Sequence, residues 1–110
     1  MSNFAQDILN KTNGEMIEGI VIGEMGWVDY NDKGKPEYKK SIGKLLSWEE
    51  AIPILDYEYN NGFGAPDCQA ITAWTKNRVI FVSEYDGSTT ICHIPRNPVA
   101  HMPDMMPGGG

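Results

Sequence analysis

Residues 68–94, CQAITAWTKNRVIFVSEYDGSTTICHI, contain three strand-length runs separated by two short breaks. Cys68 to Thr75, Arg78 to Tyr85 and Ser88 to Ile94 are rich in β-branched and aromatic residues. Lys76-Asn77 and Asp86-Gly87 divide them, and Asp-Gly is a preferred type I′ hairpin pair. The stretch therefore predicts an antiparallel meander.

Working outward, Met16 to Gly23 has the apolar density of a central strand and can add a fourth strand. Gly19 and Gly23 put bare backbone on one face of it, where another chain or a ligand could approach closely. Ser47-Trp48-Glu49-Glu50 fits a capping box, so a helix is expected from there, with Ala51, Ile54 and Leu55 on its apolar face. Pro53 falls inside that helix and predicts a kink or a short first segment. Tyr57 and Tyr59 flank Glu58 near its end, and Asn60-Asn61-Gly62 supplies residues tolerant of a left-handed stop. Near the N-terminus Phe4, Ile8 and Leu9 form one stripe after Ser2 as N-cap, which predicts a short helix over residues 3–11 that must dock on something to be stable. Asn31 to Lys44 holds five of the seven lysines with Gly34, Pro36 and Gly43, and reads as a loop.

The expected class is α+β: a small antiparallel sheet of about four strands, the meander plus the N-terminal strand, packed with one main helix and a short N-terminal helix. One domain spans 1–110, with its core at 15–98 and an irregular tail at 99–110, where Pro103, Pro107 and three glycines gather. A chain of 110 residues buries only about two thirds of its unfolded surface, so oligomerisation is a natural supplement.

Nine basic and 15 acidic side chains give a net charge of −6, with a pI near 4.7. That balance repels phosphate at long range and makes long nucleic acid an unexpected partner. A small anion held by a few placed donors is compatible with it. There is no apolar window long enough to cross a membrane and no basic leader with an apolar stretch behind it, so a soluble cytosolic protein is expected. Cys68 and Cys92 are too few for a disulfide framework and read as small core residues.

For catalysis the sequence offers no glycine-rich phosphate loop, no H-E-x-x-H and no C-x-x-C. Cys68, Cys92, His93 and His101 could form a zinc site on paper, but Cys92 and His93 are neighbours on an expected strand and so point to opposite faces, which argues against zinc and leaves only Cys68 with His93 or His101 for a nucleophilic pair. An enzyme, a metal and a cofactor are thus not expected. Pro95-Arg96-Asn97-Pro98 is more suggestive. Two prolines bracket one of only two arginines, lowering the entropy cost of presenting a guanidinium beside an amide. Bidentate phosphate contact is one use of such a pair, and a salt bridge to Asp104 or another carboxylate is the other. Trp27, Tyr57, Tyr59, Phe63 and Tyr85 sit where loops begin or end, as a stacking platform or as core.

The segments Gly23-Glu24-Met25-Gly26-Trp27, Leu46-Ser47-Trp48-Glu49-Glu50-Ala51, Gly62-Phe63-Gly64-Ala65-Pro66-Asp67-Cys68, Ala73-Trp74-Thr75, Tyr85-Asp86-Gly87-Ser88-Thr89, Pro95-Arg96-Asn97-Pro98 and Met102-Pro103-Asp104 together resemble the first Thoeris anti-defence family of phages. The resemblance runs from about Ile17 to Gly109, with Asn31 to Lys44 divergent. It implies a sponge acting in the host bacterial cytoplasm. Such a protein binds and sequesters a cyclic ADP-ribose isomer, glycocyclic ADP-ribose, made by bacterial TIR-domain proteins, and keeps the Thoeris effector inactive without cleaving the signal. It further implies a homo-oligomer, a dimer-built hexamer with ligand pockets between subunits, and separate sites for cyclic trinucleotides. Residue by residue it places phosphate recognition on Arg96 with Asn97, loop contacts on Asp86 and Ser88, and an aromatic wall on Trp27, Tyr57 and Phe63. Two other readings of the same chain are a protein-directed inhibitor of a bacterial defence enzyme, acting through its acidic surface, and a small nucleotide hydrolase.

Overall fold

The computed structural model describes residues 2–25, 36–60, 62, 68–85 and 88–103. The elements run β1 (Ser2–Asn3), α1 (Phe4–Asn10), β2 (Gly19–Met25), a 3-10 helix (Pro36–Ser41), β3 (Leu45–Leu46), α2 (Trp48–Leu55), β4 (Glu58–Tyr59), β5 (Gln69–Trp74), β6 (Arg78–Tyr85) and β7 (Ser88–Pro95). The α+β class is as expected. The main sheet has five strands in the order β3-β2-β5-β6-β7, and all its neighbours are antiparallel.

Two-residue breaks fix the register. Thr72 pairs with Phe81 across the first hairpin, and Tyr85 pairs with Ser88 across the second. Asp86 and Gly87 themselves lie outside the described residues. Because side chains alternate along a strand, the pairing lays Ile20, Ala73, Ile80 and His93 in one row across the sheet. Ile22 and Ile71 form the next row. Both helices cover this face, and Phe4, Ile8, Ala51, Ile54 and Leu55 complete the core.

The fifth strand is the difference from expectation. Leu45 and Leu46, at the end of the lysine-rich stretch, pair with Val21 and Ile20 and give β2 a second neighbour. The Leu45 side chain then lies over Gly19, where an added Cβ would come within 2.9 Å of it, and Ala70 lies 3.3 Å from the same position on Gly23. Those glycines therefore receive side chains of their own chain instead of exposing free backbone.

The N-terminal helix docks within its own domain. Asn3, not Ser2, is its N-cap, with extended φ and ψ and a side-chain oxygen 2.9 Å from the Gln6 amide. Ser2 is occupied in β1, opposite Tyr59. The second helix starts as read: the Ser47 hydroxyl accepts from Glu50 N–H at 3.1 Å, and the Glu50 carboxylate accepts from Ser47 N–H at 2.8 Å. These bonds hold the Glu50 carboxyl below its usual range. The helix ends at Asp56, earlier than Asn60-Asn61-Gly62, because the Tyr57 carbonyl turns to receive Phe4 N–H and Glu58–Tyr59 pairs with β1. Replacing Ser47 by alanine is expected to cost about 1 kcal/mol of stability, read as a lower urea midpoint at unchanged slope.

Candidate functional site

The hairpin turn between β5 and β6 gathers the polar chemistry of the molecule. Thr75, fully buried, donates its hydroxyl to Glu15 Oε1 at 2.6 Å and accepts from Arg78 N–H at 3.1 Å. Asn77 donates its backbone N–H to Glu15 Oε1 at 3.1 Å and its amide to Oε2 at 2.6 Å. The Thr75 and Asn77 side-chain bonds, with help from the Asn77 backbone and the Arg78 charge, hold the Glu15 carboxyl below the usual carboxylate range.

That depression has a sign. A carboxyl lowered in the folded state contributes stability above its unfolded value, near 4.5, and loses it as pH falls through the folded value. Glu15→Gln should therefore lower the urea midpoint at pH 7, and the gap to the parent should close on acidification below about pH 4. A gap that persisted unchanged there would assign the loss to hydrogen bonding alone.

Arg96 reaches the same turn. Its backbone N–H donates to the Asn77 carbonyl at 3.0 Å. Its Nη1 donates to the Thr75 carbonyl at 2.9 Å and to Glu18 Oε1 at 2.5 Å. The salt-bridge use of this arginine is thus present, with Glu18 as the carboxylate; Asp104 lies outside the described residues. Arg96 and Glu18 are 38% and 50% exposed, so the pair itself adds little stability. Its effect is to tie the end of β7 to the turn.

The other residues expected at a site are dispersed within one chain. Asn97 is exposed beside Arg96, while Ser88 is exposed at the opposite end of β7, roughly 25 Å away at ~3.3 Å per residue. Tyr57 packs on Phe4 under the helices, and its hydroxyl donates to Gln69 Oε1 at 3.2 Å and accepts from Gln69 N–H at 3.1 Å. Trp27, Phe63 and Asp86 lie outside the described residues.

A groove of about 620 Å³ runs along β7 and ends at the polar turn. Its lining combines polar Lys11, Glu15, Asn77, Arg78 and His93 with apolar Phe81, Cys92, Ile94, Val99 and Met102. Arg78 and His93 lie on the helix-covered face, where Arg78 faces Pro95 and His93 faces Ile80; Phe81 and Cys92 face each other on the opposite side. The groove therefore wraps the β7 edge of the sheet and takes residues from both faces. Cys92 and His93 accordingly diverge, as their adjacency demands. Among the described residues no group of three His, Cys, Asp or Glu side chains could hold a metal ion.

Arg78 anchors the polar lining by donating Nη1 to the Lys11 carbonyl at 2.6 Å, which joins the C-cap of α1 to β6. Burial first, then the charges of Arg78 and Lys11, lower the His93 pKa and favour neutral imidazole. Burial raises the Cys92 thiol, opposed by Lys11. Such a thiol is a poor nucleophile at neutral pH.

Lys11, Arg78 and Phe81 were not singled out from the sequence as site residues, and His93 was weighed there only as a metal ligand or nucleophile partner. The signal was nonetheless there. A two-residue Asp86-Gly87 turn pairs Tyr85 with Ser88, and counting back from it makes Arg78 and His93 diagonal neighbours on one face.

Comparison with protein-family models, with curated proteins and with solved structures returned no match. Among the described residues no helix is long and apolar enough to cross a membrane.

Proposed function

We propose that this protein is a nucleotide sponge, binding a cyclic ADP-ribose isomer, glycocyclic ADP-ribose, and holding it intact so that a Thoeris effector stays inactive. The reading begins from the linked motifs that resemble the phage anti-defence family. The observation that carries it is the groove: in a chain of net charge −6, one cavity gathers Lys11 and Arg78 together with amides and apolar side chains. A cyclic dinucleotide-sized ligand combines the same chemistries, anionic phosphates and apolar base faces. The volume falls within the about 300–1,000 Å³ of typical ligand pockets.

Sequestration needs tightness instead of turnover, and nanomolar affinity corresponds to about −12 kcal/mol. One open groove buries a ligand incompletely, so a second subunit closing it fits the dimer-built hexamer that the resemblance implies. The exposed Leu45, Ile94, Val99 and Met102 offer apolar surface for such assembly. Arg96 and Asn97, one and two residues beyond the strand partner of Arg78, stand at the same end of the sheet as Arg78. Cyclic trinucleotides at separate sites belong to the same proposal.

Isothermal titration with the TIR-derived isomers, followed by heating and chromatography of the released ligand, tests it. Tight binding with intact release is the expected outcome. A folded protein that gives no heat points to a protein partner instead, and a degraded ligand makes it a hydrolase.

A further inference from the structure

The geometry points to a proton-coupled diphosphate site at Lys11, Arg78 and His93, in which the anion and one proton enter the groove together. This rests on the sponge reading for the identity of the nucleotide, but the site itself is defined by three side chains brought from three elements. Lys11 is the C-cap of α1, Arg78 opens β6, and His93 lies on β7 diagonal to it. The Arg78 guanidinium is held in place by the Lys11 carbonyl, so its fork is oriented before a ligand arrives.

Charge arithmetic supplies the coupling. The charged and titratable groups that line the groove with His93 are Arg78 from β6, Lys11 from the C-cap of α1, Glu15 from the segment after α1, and His101 from the tail. Lys11, Arg78 and Glu15 sum to +1. A diphosphate diester carries −2. After burial, the Arg78 and Lys11 charges also lower the His93 pKa, and these charges are the ones a bound diphosphate would neutralise. With the anion in place, imidazolium becomes the favoured form, taking one proton from solvent and offering two N–H donors with no covalent change. The Glu15 carboxylate does not compete for that proton, being engaged by Thr75 and Asn77.

Two probes separate this site from the function above. Inorganic pyrophosphate added to the full chain should shift the resonances of Lys11, Arg78 and His93 and raise the His93 titration midpoint. If those resonances do not move, the site is overturned. The cyclic ADP-ribose isomer, titrated in two buffers of different ionisation enthalpy, should bind with proton uptake. Its affinity should rise several-fold from about pH 8 to about pH 6. Lys11→Ala should weaken it roughly tenfold, and His93→Gln should abolish its pH dependence. Nucleotide binding that keeps its pH dependence in His93→Gln overturns the site while the sponge stands. A pyrophosphate response without nucleotide binding supports the site and removes the sponge.

Discussion

Phe4→Ala is expected to lower the unfolding free energy by about 3–5 kcal/mol, the range for truncating a buried aromatic ring. Phe4 is 0% exposed. Its ring centroid lies 5.1 Å from that of Tyr59 in an edge-on arrangement and 5.6 Å from that of Tyr57. Its backbone N–H also donates to the Tyr57 carbonyl at 2.9 Å. A seven-residue helix has no stability of its own, so Phe4, Ala5 and Ile8 determine whether α1 is present at all. Against a total of about 5–15 kcal/mol the loss is large. Because α1 ends at Lys11, whose carbonyl holds Arg78, the basic lining of the groove should loosen with it. Urea unfolding gives the first effect, and hydrogen exchange across residues 4–12 should report the second as lost protection. A loss under about 1 kcal/mol would mean that the tyrosines close over the space.

Much of this architecture could be read from local signals. The capping box at Ser47 and the two hairpin breaks carry their geometry in adjacent residues, and the structure reproduces them. What local reading missed depends on distant partners. Nothing near Leu45-Leu46 shows that two residues at the end of a lysine-rich stretch will pair with Ile20 and Val21. Tyr59 likewise joins a two-stranded ribbon because Ser2 and Asn3 lie opposite it, and its hydroxyl then donates to Asp7 Oδ2 at 2.8 Å. The site follows the same rule. Arg96 stood out through the prolines beside it, whereas Arg78 matters through a helix end 67 residues away in sequence, and that distance hides it.

Ile80→Ala should cost about 2–5 kcal/mol, and Ile80→Val about 0.5–1.5 kcal/mol, measured as shifts in urea midpoint at constant slope. Ile80 is 0% exposed in the row Ile20–Ala73–Ile80–His93, and its direct neighbour Ala73 is too small to fill space that Ile80 vacates. The β-branched side chain is also matched to a strand held on both edges, so truncation loses packing and strand preference together. The position has a second consequence, because the next residue in the row is His93. A cavity beside the imidazole would admit water and relieve part of the burial that holds its pKa down. In Ile80→Ala at low temperature, where the fold persists, the His93 titration midpoint should move upward toward its ordinary value. An unmoved midpoint would leave the charges of Arg78 and Lys11 as the dominant cause. The apolar core and the basic lining of the groove are adjacent positions in one register, so a change of packing in the first is expected to be read as a change of charge in the second.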